Sequence, residues 1–167
     1  MLVVRFTSMT SSSDLVAVDL TDRERKFVQQ ALQQWGLSAS DAPFPFQMLG
    51  LSSWDEFDEL TVRLQRAVEN AEPLSNLDWA RVLFLTEITW ASDLVGAALD
   101  FATVTGFSDT EAVSLLRGLQ RRRKIGGYEG GKLLFPNGGR TRTAEEIERW
   151  GEKVRREQEG RVYPPGL

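Results

Sequence analysis

Apolar residues recur every three or four positions along most of this chain, which is the spacing of an amphipathic α-helix. Five such segments follow a Ser or Thr that has Glu or Asp three residues later. In a capping box of this kind the hydroxyl oxygen accepts a hydrogen bond from a helical N–H, and the acid reaches back to the first backbone N–H. The five boxes are Thr21/Glu24, Ser53/Glu56, Ser75/Asp78, Ser108/Glu111 and Thr143/Glu146. The sequence therefore predicts an all-α protein.

The pattern predicts helices over about 22–35, 54–71, 79–104, 109–123 and 144–159. Gly36 and Gly106 follow the first and third helices, and glycine is typical of helix ends. The third helix is apolar on almost every side, which indicates a central, buried position, although the chain could break near Ser92. Its large side chains should be buried together: Trp79, Leu83, Trp90, Leu94 and Phe101.

The composition changes after residue 124, where glycines become frequent. We expect four helices to form one core domain over residues 20–124, behind a flexible N-terminal segment, 1–19. The segment 125–135 should form either a short β-hairpin or a linker. Residues 125–167 as a whole should be a basic extension that carries the fifth helix, whose apolar stripe is thin.

The chain contains neither Cys nor His. This excludes disulfides, thiolate and imidazole metal sites, and Ser–His or Cys–His catalysis. We accordingly expect a protein that is not an enzyme and needs no cofactor or metal; an enzyme that uses carboxylates alone is a minor alternative. The most apolar stretch contains four charged residues, so we also expect no membrane span and a cytoplasmic location.

Charge is distributed unevenly along the chain. Residues 1–116 carry 7 Lys/Arg and 17 Asp/Glu, a net charge of −10, whereas residues 117–167 carry 13 and 7, a net charge of +6. Four acids open the second predicted helix: Asp55, Glu56, Asp58 and Glu59. They interact favourably with the helix dipole and also present an acidic surface to a basic partner. We therefore expect these four residues to bind another protein, as in an adaptor or an immunity or antitoxin-like protein.

A second interpretation rests on residues 101–115. Gly106 permits a tight turn there, and Ala112 is small enough to pack between two helices, a spacing that resembles a helix-turn-helix. The resemblance implies a DNA-binding regulator of the winged-helix type. Residues 109–123 would then be the recognition helix and residues 125–135 the wing.

Basic residues in and after this recognition helix would contact DNA phosphates. They are Arg117, Arg121, Arg122, Arg123 and Lys124. Asp109 and Glu111 oppose this interpretation, because phosphates would repel acids at the start of the recognition helix. Nucleic acid is therefore the alternative partner.

Glu87 lies on an apolar face of the predicted central helix. A buried carboxylate needs a partner, and Arg81 lies about 120° away around the helix. We expect Glu87 to be buried and hydrogen-bonded, and we expect both residues to find partners on other elements.

Overall fold

The structure is a computed structural model that describes residues 14–122, 125, 127–135 and 142–159. Within these ranges the chain forms seven α-helices and a two-stranded antiparallel sheet, so the expected all-α class is confirmed. The helices are α1 (Asp22–Gln33), α2 (Trp54–Glu69), α3 (Asn76–Ala91), α4 (Phe101–Thr105), α5 (Asp109–Gln120), α6 (Gly127–Leu134) and α7 (Ala144–Glu159). The strands are β1 (Leu15–Val16) and β2 (Leu74–Ser75), and short 3₁₀ turns lie at Gln34–Gly36, Phe46–Leu49 and Ala98–Asp100.

The five helix N-caps predicted from the sequence are confirmed. Each hydroxyl oxygen accepts a hydrogen bond of 3.1–3.3 Å from the backbone N–H three residues later; the five caps are Thr21, Ser53, Ser75, Ser108 and Thr143. Glu24 and Glu146 complete the box by accepting from the cap residue's own N–H, at 2.9 and 2.8 Å. Glu56 instead accepts from the N–H of Ser52. Local hydrogen bonding therefore sets where these helices begin.

α3 occupies the centre of the fold, as its apolar sequence predicted. α1, α5 and α6 pack against it, and α2 packs along α1. Phe27 of α1 makes edge-on contacts with Phe101 and Phe107, at ring-centroid distances of 5.9 and 5.4 Å. Even Thr86 and Thr89 of α3 are completely buried. This core fixes the positions of α1 and α2, between which the candidate site lies.

The helical region predicted over 79–104 is interrupted near Ser92, so the break that the sequence indicated there is confirmed. α3 ends at Ala91, and the Ser92 hydroxyl oxygen accepts a 3.1 Å hydrogen bond from the N–H three residues later. A Cβ added to Gly96 would collide with the carbonyl oxygen of Ile88. Only glycine therefore allows the chain to pass this close to the end of α3.

The interruption changes the expected core. Trp79, Leu83 and Phe101 are buried as predicted, and Trp90 is half-buried against the core. Leu94 is 85% exposed, so the prediction of its burial is wrong. That prediction assumed one continuous helix, and beyond the end of α3 the helical spacing no longer decides which way a side chain faces.

The segment 125–135 contains α6, so both alternatives expected there, a β-hairpin and a linker, are wrong. α6 packs against α3, and Ile125 and Leu134 are buried in the core. Gly130 is buried too, and a Cβ added to it would lie 3.5 Å from the Cβ of Ala80. Gly127, Gly130 and Gly131, which indicated a turn, thus belong to a helix that packs against α3.

The two ends of the described chain differ in their contacts. β1, which lies in the segment expected to be flexible, pairs with β2, and the indole N–H of Trp79 donates a 2.8 Å hydrogen bond to the carbonyl of Val16. α7 has the bounds predicted for it, but none of its residues is buried, and its large apolar residues Ile147 and Trp150 are exposed.

Candidate protein-docking groove

The four acids expected to bind a partner are all exposed on the first two turns of α2. Elsewhere in the described chain, Glu24, Asp78 and Glu111 form ion pairs with arginines. Asp55, Glu56, Asp58 and Glu59 form none with any described residue. Their charges are therefore available to an external cation.

A groove of about 550 Å³ runs beside these acids, between the C-terminal end of α1 and α2. Its lining includes three exposed apolar side chains, Leu37 (57% exposed), Trp54 (42%) and Val62 (54%), together with Asp58. The remaining lining residues are Leu32, Gln33, Trp35, Gly36, Ser40, Thr61 and Gln65. An apolar surface next to a carboxylate suits a ligand that is both apolar and cationic.

Trp54 packs against two phenylalanine rings at the edge of this groove. Its ring contacts Phe46 at a centroid distance of 4.8 Å and Phe57 at 5.5 Å, both nearly edge-on. A packed indole with one free side is a typical anchor at a protein interface, because little side-chain entropy is lost on binding.

Trp35 lines the inner side of the groove and belongs to the hydrophobic core. The residue is only 3% exposed and its ring packs against Phe44 and Phe57. Its indole N–H has no acceptor within the part of the chain that the structure describes. This N–H is itself buried, so the part of Trp35 that lines the groove is its packed ring and not its polar group.

The acidic cluster is divided between two faces of α2. Asp58 lines the groove, and Asp55 shares its helix face at a spacing of three residues. Glu56 and Glu59 line a different cleft, of about 300 Å³, with Arg63 and Arg81. The sequence predicted a single acidic surface and did not indicate this division.

Arg63 and Arg81 bind Asp78 rather than the neighbouring glutamates. Arg63 donates two hydrogen bonds to the Asp78 carboxylate, at 2.9 and 3.1 Å, and Arg81 donates one at 3.2 Å. Burial alone would raise the pKa of Asp78, but these hydrogen bonds and the two positive charges outweigh burial and lower its pKa. Arg81 also donates to the carbonyl of Leu49, which confirms the expected partner on another element.

Some of the basic residues expected to contact DNA form hydrogen bonds within the fold instead. Arg122 donates to the carbonyl of Asp19 at 2.6 Å and to both carboxylate oxygens of Glu24, at 2.8 and 2.6 Å. Arg117 donates to the side-chain oxygen of Gln120 at 2.6 Å, and Arg121 is exposed. The other two candidates, Arg123 and Lys124, lie outside the described residues.

The turn that resembles a helix-turn-helix has the expected backbone, with Gly106 at a φ of 75° and Ala112 completely buried. The helix before this turn, α4, has only five residues. Glu111, at the start of the proposed recognition helix, forms an ion pair with Arg23 of α1. The proposed wing is α6, which packs against α3.

Glu87 is half-buried and accepts a 2.6 Å hydrogen bond from the side-chain amide of Gln120 on α5. The expected hydrogen bond to another element is therefore confirmed, whereas the burial is only partial. The sequence did not indicate Gln120 as the partner, since the two residues lie 33 positions apart.

Comparisons with protein-family models, with curated proteins and with solved structures find no match to this chain. Within the described ranges, acidic residues do not gather in a group of three or more that could hold a metal ion. None of the described helices has both the length and the apolar character required to cross a bilayer.

Proposed function

We propose that this protein is a non-enzymatic protein-binding module whose groove between α1 and α2 binds a segment of another protein. The observation that carries the proposal is the juxtaposition of Leu37, Trp54 and Val62, all exposed, with the unpaired carboxylate of Asp58. The partner segment should present apolar side chains flanked by Lys or Arg.

Two physical effects act together in this groove. Covering the exposed apolar side chains removes nonpolar surface from water, at roughly 25 cal/mol for each Å² buried. The carboxylates of Asp55 and Asp58 attract Lys or Arg over distances of about 10 Å at 0.1 M salt. Apolar contact therefore supplies affinity, while charge steers the partner and selects against acidic segments.

DNA binding is the alternative and has less support. Arg122 is held by Glu24 and Asp19, and Asp109 and Glu111 carry negative charge at the start of α5. A recognition helix normally offers donors to the bases and cations to the phosphates in its first turns. The first turn of α5 has carboxylates instead.

The test is a fluorescence anisotropy titration of the full chain against three labelled probes. The first probe is a short amphipathic helix of Leu and Lys, the second replaces Lys with Glu, and the third is a random-sequence DNA duplex. We expect saturable binding of the Leu/Lys helix, weaker binding of it at higher salt, and no binding of the other two probes.

Paired variants locate the binding site. Asp55→Asn with Asp58→Asn should weaken binding about three- to tenfold at low salt, whereas Asp93→Asn with Asp100→Asn changes the net charge equally and should have no effect. Val62→Ser should weaken binding, and the equally apolar, exposed Val104→Ser should not. Binding that is the same in all four variants would overturn the proposal, and so would saturable binding of the duplex alone.

A further inference from the structure

A second cleft, of about 280 Å³, lies between α3 and α6. It is lined by Ala80, Leu83, Phe84, Glu87, Gly130, Gly131, Leu134 and Phe135. Glu87 is the one charged residue among these eight. A single carboxylate thus faces an otherwise apolar and aromatic cleft.

The Glu87 carboxylate is oriented by a chain of two hydrogen bonds from α5. Arg117 donates to the side-chain oxygen of Gln120 at 2.6 Å, and the Gln120 amide donates to Oε1 of Glu87 at 2.6 Å. Gln120 therefore uses both ends of its side-chain amide, one toward Arg117 and one toward Glu87. The amide is neutral, however, and leaves the carboxylate charge uncompensated.

Glu87 has no cation partner within the ranges that the structure describes, and its Oε2 accepts no hydrogen bond there. A ligand that brings positive charge and N–H donors to Oε2 would form a charge-assisted hydrogen bond there.

Two aromatic rings favour the same kind of ligand. Phe84 and Phe135 meet edge-on in the lining, with ring centroids 5.5 Å apart and planes at 88°. Both residues are half-buried. The face of an aromatic ring attracts cations, and the attraction is stronger where water is partly excluded.

We propose that this cleft binds a primary alkylammonium group. The ammonium donates to Oε2 of Glu87 and lies near the rings of Phe84 and Phe135, while its alkyl chain packs against Leu83 and Leu134. Gly130 and Gly131 carry no side chain, so the cleft has room for a chain of a few carbon atoms. Such a group belongs to a free alkylamine or to a lysine side chain of a peptide.

The experiment titrates the ¹⁵N-labelled full chain with three probes and follows backbone amide signals. The probes are n-butylammonium, Nα-acetyl-lysine amide and butan-1-ol, which has the same shape as the amine without its charge. We expect saturable shifts at Phe84, Gly130 and Gly131 with the amine, and at least about tenfold weaker binding of the alcohol. Equal binding of the lysine derivative would assign the site to peptide lysine, and exclusive binding of butylammonium to free amines.

Two variants test the roles of Glu87 and Phe135 in amine binding. The thermal unfolding of each variant is measured in parallel. Glu87→Gln keeps the size and a hydrogen-bonding group but removes the charge, and it should weaken amine binding about tenfold or more. Phe135→Leu keeps the lining apolar and should weaken it about threefold. Glu69→Gln, at the exposed C-terminal end of α2, should change nothing. Equal binding of amine and alcohol, or unchanged binding in the folded Glu87→Gln variant, would overturn the proposal.

Discussion

Arg122 binds Glu24 across 98 positions of sequence through two hydrogen bonds of 2.8 and 2.6 Å to the two carboxylate oxygens. The same guanidinium donates to the carbonyl of Asp19. This contact ties the residues that follow α5 to the first turn of α1. Arg122, which the sequence analysis named as a candidate DNA contact, therefore stabilises the fold.

Replacing Arg122 with Ala should lower the free energy of unfolding by about 1–3 kcal/mol, because Glu24, only 7% exposed, would lose its positive partner. Arg121→Ala is the matched control, since that neighbouring arginine is exposed. Its effect should be within about 0.5 kcal/mol. Urea unfolding followed by circular dichroism measures both, and equal effects would contradict a structural role for Arg122.

The stability of the fold should depend on pH through Glu24. Burial alone would raise its pKa, but hydrogen bonds from Arg122 and Thr21 and the Arg122 charge outweigh burial and hold the pKa below its usual value of 4.5. The folded state therefore binds fewer protons than the unfolded state in this range. The stabilisation is fully present above pH 4.5 and is lost as the pH falls through the folded pKa.

The measurement is the free energy of unfolding at several pH values between about 3 and 7. Glu24→Gln cannot ionise at this position, so its unfolding free energy should fall less steeply than that of the native chain below pH 4.5. Arg122→Ala should flatten the curve in the same way. An unchanged slope in both variants would show that this pair does not contribute to the acid sensitivity.

Two large apolar residues on either side of the α3 interruption should differ sharply in importance. Phe101→Ala should cost about 3–5 kcal/mol, because its ring is completely buried against Phe27. Leu94→Ala should change stability by less than about 0.5 kcal/mol, since the side chain is almost entirely in solvent. A large loss with Leu94→Ala would contradict the exposure of this side chain.

Gly96 should not tolerate a side chain. Gly96→Ala forces its Cβ into the carbonyl oxygen of Ile88, and the resulting backbone shift should cost about 1–3 kcal/mol. Gly36→Ala is the control, because a Cβ there meets no atom within 4 Å among the described residues. Thermal unfolding of both variants separates a steric requirement from a general effect of removing glycine.

Replacing the exposed arginines Arg117 and Arg121 distinguishes a DNA partner from a protein partner. If the chain bound duplex DNA near physiological salt, Arg117→Ala with Arg121→Ala should reduce the slope of log affinity against log salt by about two units. We expect no measurable duplex binding by the native chain in the first place. Duplex binding that this double variant loses, and that Asp55→Asn with Asp58→Asn retains, would reverse the assignment.

Local chemistry explains why so much of the secondary structure could be predicted. A capping bond joins groups three residues apart, so the sequence contains both partners, and all five predicted caps occur. The absence of Cys and His likewise limits the chemistry of the chain without any reference to its fold. The four acids at the start of α2 are exposed, as expected of an acidic surface.

The tertiary structure decided which residues far apart in the sequence contact one another. Arg122 meets Glu24, and Gln120 meets Glu87, only because α5 packs beside α1 and α3. Leu94 faces solvent because the chain turns at Ser92, and α6 is a helix because its small and apolar residues can be buried against α3. The groove exists because α1 and α2 lie side by side. The sequence by itself determined the helix caps, the helical periodicity and the chemistry available to the side chains. Burial and long-range pairing were decided by the tertiary structure, because each depends on contacts with many residues that come together only when the chain folds.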